Sequence, residues 1–274
     1  MRSRSSARAP ARLRDMLNIF RGELTAVVGA GGKTGTMNRL AREFKYRGVI
    51  YTTTTALLVP EELPFRLKIV KKAGAFREAV REYGKNPRKS STADSEMLVI
   101  GSGLVRVRPS SESRMTLKGV DQNWTAEVSD ELSSLVMLVE ADGAASHSIK
   151  FPADHEPALP AGLDNLLVVQ GAAAAGRELS SPHCFRSHLQ RSRRYASLAL
   201  YRELFAGDCG YGPYLRGSHE SHLILSQLEG EKRDFFRRLC FELKRYRRGS
   251  PYSRYLALNY RTGSVGLHTG SFQG

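Results

Sequence analysis

The chain is poor in cysteine, has no long apolar run and shows no internal repeat or heptad array, and each lack removes a class of architecture. Cys184, Cys209 and Cys240 are odd in number and far apart, so they supply neither a disulfide framework nor a C-x-x-C metal site, which is the usage of a reducing, cytoplasmic compartment. No stretch approaches the roughly 20 apolar residues that a spanning helix requires, so no membrane insertion is expected. Residues 1–14 hold five arginines but no apolar core of a secretory signal, and residues 1–18 read as a flexible basic tail. Acidic residues are also scarce. With 27 Asp and Glu against 42 Lys and Arg, the net charge is +15, a balance that favours anionic partners such as nucleotides, nucleic acid or an acidic protein surface. Part of the excess sits at Arg191, Arg193 and Arg194 and over residues 232–248, where a solvated helix face explains it as well as a binding patch does. Aromatic and basic residues are not interleaved as in RNA-binding sheets, which ranks nucleic acid last among these partners.

What is present is the rhythm of an α/β domain. Short apolar runs at 24–28, 49–53, 67–70, 97–100, 135–139, 166–169 and 223–225 have the composition of buried strands. Helical periodicity falls between several of them, at 73–83, 122–133, 187–205 and 231–246. This alternation predicts a doubly wound, mostly parallel sheet of P-loop NTPase type with helices on both faces. The domain is expected over 19–260, followed by a weakly ordered tail at 261–274. Polar stretches rich in glycine, serine and proline at 84–95, 108–114 and 207–218 read as loops.

The first strand breaks at Gly29-Ala30-Gly31-Gly32-Lys33-Thr34 and a helical pattern follows at once. A glycine turn between strand and helix aims backbone N–H groups at one point, where the helix dipole also favours an anion. A lysine there can reach β- and γ-phosphates, and a threonine hydroxyl can ligate Mg²⁺. The pattern is G-x-x-G-K-[ST], shorter than the usual loop, with Val27 where the longer form has glycine. Lys33 is expected as a surface side chain, dispensable for the fold. The competing reading is an ordinary helix-capping turn.

A second strand ends in Val139-Glu140-Ala141-Asp142-Gly143, and a carboxylate at such a strand end can hold Mg²⁺ beside a triphosphate. Glu140 and Asp142, two residues apart, are expected on the same side of an extended chain. Glu140 is expected on a parallel strand next to the first one, facing Thr34, whereas Asp142 would position water or metal. Capping of the following loop is the alternative for both. Thr52 to Thr55 end the neighbouring parallel strand, and Thr53 and Thr54 are candidates to touch the ligand or its metal, although β-propensity alone accounts for part of the run.

Taken together, V-V-G-A-G-G-K-T, T-T-T-T, V-E-A-D-G-A and the passage from Lys150 through F-P-A-D-H-E-P-A-L-P resemble the YqeC family, accessory proteins of selenium-dependent molybdenum hydroxylases. The match runs over about residues 20–185. The resemblance implies a nucleotide-binding protein, with Mg²⁺ and ATP or another NTP as ligands and a molybdenum hydroxylase or molybdenum cofactor enzyme as partner. Two departures stand out. The family's K-T-T is Lys33-Thr34-Gly35 here, and its N-[KQ]-x-D element is Ser226-Gln227-Leu228-Glu229, which argues against guanine selectivity. The H-E-P element makes His155 and Glu156 candidate ligand contacts, with Asp154 and His147 nearby, whereas a loop histidine outside such a match is more often simply solvated. His183, Cys184 and His188 form a weaker candidate metal or chalcogen site, for which a buried cysteine is the plainer explanation. Three functions remain: an Mg²⁺-dependent nucleotide-binding factor and candidate P-loop NTP hydrolase with Glu140 and Asp142 as its catalytic residues, a non-catalytic binder of a phosphorylated pterin-type cofactor, and a nucleic-acid-binding protein.

Overall fold

A computed structural model describes residues 12–85, 96–107, 114–144, 146–179, 183–186, 194–217, 219–229, 232–246, 252–259 and 264–267. In chain order its elements are α1 (Leu13–Leu17), β1 (Leu24–Gly29), α2 (Lys33–Glu43), β2 (Val49–Thr53), β3 (Ala56–Leu58), β4 (Phe65–Ile69), α3 (Ala73–Lys85), β5 (Met97–Gly101), β6 (Gly103–Val107) and β7 (Arg114–Lys118). A long 3-10 helix, Gln122–Ser134, then leads to β8 (Val136–Glu140), β9 (Ile149–Lys150), β10 (Asn165–Gly171) and β11 (Cys184–Phe185). The last third holds α4 (Leu198–Ala206), β12 (Glu220–Ser226), α5 (Arg233–Arg245), β13 (Arg254–Asn259) and β14 (Ser264–Leu267).

Nine strands form one sheet in the order β14-β13-β12-β10-β1-β8-β2-β5-β4. All neighbours in it are parallel except β13 and β14. The central strands are buried along their whole length. That is why they read as continuous apolar runs and not as alternating ones: both faces are covered. On one face Val27, Tyr51, Leu138 and Leu167 pack under α1 and α2. On the other, Ala26, Val28, Leu166, Val168 and Leu223 lie under α4 and α5, and Ile50, Met137 and Val139 under α3 and the 3-10 helix. The fold is therefore the doubly wound α/β arrangement.

The structure corrects several boundaries. The expected tail over 1–18 is ordered from Leu13: Leu13 and Leu17 are fully buried, and the Leu13 and Arg14 amides both donate to the Glu43 carboxylate at 2.9 Å. Residues 1–11 lie outside the described residues. The expected tail over 261–274 contains β14, an antiparallel edge strand on β13. Of the helix expected over 187–205, residues 187–193 lie outside the described residues, residues 194–197 are not helical, and Leu198–Ala206 form α4, where the Ser197 hydroxyl caps the Leu200 amide at 3.3 Å. The strand of Glu140, β8, adjoins β1 in parallel as expected, and the threonine-ended β2 lies on its other side. A three-stranded antiparallel sheet, β3-β7-β6, adds a wall beside the carboxyl edge of the main sheet.

Candidate functional site

The site is built where β1 gives way to α2. Gly29 sits at φ 98° and Gly31 at φ 67°, in the left-handed region that favours glycine. A Cβ on Gly29 would stand 1.9 Å from the Val169 carbonyl oxygen, and one on Gly31 would stand 2.4 Å from that of Ser148, so the turn is pressed against the end of β10. The Ala30 amide donates to Val169 O at 2.8 Å, and the Ser226 hydroxyl at the end of β12 donates to Gly31 O. The first amides of α2, at Lys33, Thr34 and Gly35, have no helical carbonyl within reach and face the anion-favouring end of the dipole.

Glu140 ends β8, paired in register with Val27 on one side and Thr53 on the other. The carboxylate therefore faces the turn from the strand next to β1. Lys33 is not the surface side chain anticipated: it is 5% exposed, its ammonium donates to Gly29 O at 2.8 Å, and it lies 3.7 Å from Glu140 Oε1. Burial raises the Glu140 carboxyl above the usual carboxylate range, against the pull of Lys33 and of the adjacent Thr34 hydroxyl. Burial likewise lowers the Lys33 ammonium, against Glu140. Glu140 Oε2 is buried with no hydrogen-bond partner. An acceptor left in that state costs about 1–3 kcal/mol unless something fills it.

A cleft of about 430 Å³ opens over these groups, lined by Gly31 to Gly35, Glu140, residues of the loop after β8 including His147, and Leu57, Leu58 and Thr116 of the small sheet. Gln227 closes one side of it. Gly31, Gly32, Lys33, Thr34 and Glu140 are thus brought together, and Gly29 and Ala30 shape the turn beneath them.

The remaining candidates are placed differently. Asp142 is not beside Glu140 on one face of an extended strand. Pairing stops at Glu140, and the Asp142 side chain turns into the interior, fully buried, where it accepts from the Lys150 ammonium, the Tyr211 hydroxyl and, at 3.2 Å, the Gly29 amide. Glu156 pairs with Lys150 at 2.7 Å and with Arg186. Burial pushes its carboxyl up, but the hydrogen bonds from Arg186 and Lys150 outweigh that and hold it at about 2. Burial lowers the Lys150 ammonium to about 8, opposed by Glu156. His155 is exposed and does not line the cleft. Thr53 and Thr54 tie backbone together, donating to Glu140 O at 2.7 Å and to Ala158 O at 2.6 Å. Cys184 is buried, with its thiol pushed up to about 12 by burial, and His188 lies outside the described residues. Among the described residues no group of three or more His, Cys, Asp or Glu is arranged to hold a metal ion. No helix there is long and apolar enough to cross a membrane.

Sequence reasoning gave no role to Lys150 or Tyr211. Lys150 did carry a signal: it stands between Ile149 and Phe151, both core residues, and a lysine enclosed in that way must be paired. Tyr211 lies in a stretch read as a loop and carried none.

The family described as YqeC protein matches residues 25–188, more than half of the chain. The chain belongs to the YqeC family. The matched region contains the glycine turn, β8 with Glu140, and the Lys150–Glu156 passage, and it stops before β12 and α5. The Escherichia coli (strain K12) protein named "Uncharacterized protein YqeC" is 28% identical over 167 residues, covering 59% of this chain and 56% of that protein, so the match spans little more than half of the relative's length. No solved structure matches the chain.

Proposed function

We propose that this YqeC-family chain binds a nucleoside triphosphate with Mg²⁺ in the cleft over the glycine turn, acting as an accessory protein in the maturation of selenium-dependent molybdenum hydroxylases or their cofactor. The observation that carries the binding reading is the Glu140 oxygen, buried and unpartnered beside Lys33 and Thr34 at the N-terminus of an eleven-residue helix. A lone carboxylate with a hydroxyl fits Mg²⁺, which keeps most of its shell for water and phosphate oxygens and takes only one or two protein carboxylates. Thr34 and Glu140 would hold the ion, which when bound supplies neutralisation of triphosphate charge. Lys33 and the first amides of α2 would hold the phosphates. The pathway rests on the family resemblance.

The arrangement supports binding more directly than turnover. Glu140 is the carboxylate lining the cleft, and Asp142, expected to position water, has its oxygens taken by Lys150, Tyr211 and Gly29. The test is titration calorimetry with ATP, GTP, CTP and UTP, each with and without Mg²⁺. Mg²⁺-dependent binding of at least one triphosphate is expected. No binding of any of the four under either condition refutes the proposal.

A further inference from the structure

Asp142 stands two residues beyond a strand end that faces the cleft, yet it is directed away from the cleft into a closed network. Its Oδ2 takes the Gly29 amide at 3.2 Å together with the Tyr211 hydroxyl, and its Oδ1 takes the Lys150 ammonium. Lys150 is itself fully buried, donates to Gly143 O and pairs with Glu156, which Arg186 also holds. Tyr214, close to Tyr211 in sequence, donates to Glu156 O at 2.7 Å. Gly29 is the residue at which β1 becomes the turn, and its position leaves no room for a Cβ, so a shift of this one residue moves the whole turn relative to β10.

We infer that Asp142 is a positioning residue for the turn, its acceptor oxygen fixing the phosphate-binding amides through Gly29, with Lys150 as its ion-pair partner in the buried network; this rests on the reading of the turn as a phosphate site. This carboxylate is fully buried, already takes three donors and does not line the cleft, so it does not face a ligand bound there. It acts through the backbone of the turn and not on the ligand.

Paired substitutions separate the acceptor from the charge. D142N/K150M removes both charges and keeps an oxygen for the Gly29 and Tyr211 donors. D142L/K150M has nearly the same shape but no acceptor. Both are compared with the wild type by Mg·ATP calorimetry and by hydrogen exchange of the peptide covering residues 24–36. D142N/K150M is expected to bind within about threefold of wild type with unchanged exchange, and D142L/K150M at least about tenfold more weakly with faster exchange, a difference of about 1.4 kcal/mol. Equal binding and equal exchange in the two variants overturn the inference. If D142L/K150M does not fold, D142S/K150M with its single small hydroxyl takes its place, and the same equality overturns the inference. If the wild type binds a triphosphate other than ATP, that one replaces ATP in the comparison. If it binds none of ATP, GTP, CTP and UTP, the nucleotide reading is what fails. The exchange comparison then decides the positioning role alone, on the same criterion.

Discussion

Two buried lysine–carboxylate clusters leave the same strand end, and they differ in how completely they are satisfied. In the first, Lys33 and Glu140 stand 3.7 Å apart, one carboxylate oxygen has no partner, and both side chains line the cleft. In the second, Lys150 meets Asp142, Gly143 O and Glu156, Arg186 completes Glu156, and neither carboxylate lines the cleft. Burial raises Glu140 above its ordinary range, whereas the second cluster holds Glu156 at about 2. A buried ion pair alone therefore does not mark a ligand site. The mark is incomplete satisfaction next to open space, because the missing partner must then come from outside. The complete cluster is architecture.

The largest expected effect is on the complete cluster. Lys150→Met leaves Asp142 and part of Glu156 uncompensated in the interior, and it should lower unfolding free energy by about 3–5 kcal/mol in denaturant titrations. A loss below about 1 kcal/mol would mean that this cluster is not structural.

Next in size is Lys33→Met. Its removal should weaken Mg·ATP binding about 10- to 100-fold, the worth of a charge-assisted phosphate contact, as read by calorimetry. Because Lys33 is buried against Glu140, some loss of stability is expected as well, contrary to the view of it as a dispensable surface residue. Unchanged affinity would show that the open cluster is not a phosphate site.

A smaller effect separates the clusters by pH. The folded-state pKa of Glu156, about 2, lies below its unfolded value near 4.5, so the unfolded chain binds the extra proton between them and stability should rise with pH across that window. The contribution is fully present above about 4.5 and is lost as pH falls toward 2. Glu156→Gln should flatten this limb in thermal melts, and an unaltered limb would remove Glu156 from the complete cluster.

The smallest stability change is expected for Glu140→Gln, which keeps the shape and lets the amide face Lys33. The Mg²⁺-dependent gain in ATP affinity should shrink about tenfold, while Mg²⁺-free binding stays equal or improves. A full Mg²⁺ gain in this variant would place the ion elsewhere.

Local sequence determined much of the framework. Continuous apolar runs specify strands buried on both faces, and β2 falls at 49–53 as read. The turn needs glycine where φ is positive, and Gly29 and Gly32 of the G-x-x-G-K-T pattern, with Gly31 between them, meet that need by their lack of a Cβ. The position of Glu140 at the end of its strand was legible too, because a short apolar run with a polar stop fixes which residue reaches the sheet edge.

Tertiary structure decided the rest. The strand of Glu140 adjoins β1 as expected, but the complete order, with β8 between β1 and β2 and β10 on the far side of β1, is a choice that no local pattern encodes. That Glu140 faces the cleft while Asp142 is enclosed depends on Lys150 and Tyr211, which lie 8 and 69 residues from Asp142 in the chain. The two carboxylates are alike in sequence, and their environments make them different, because the cost of burying a charge depends on which partners the fold delivers to it.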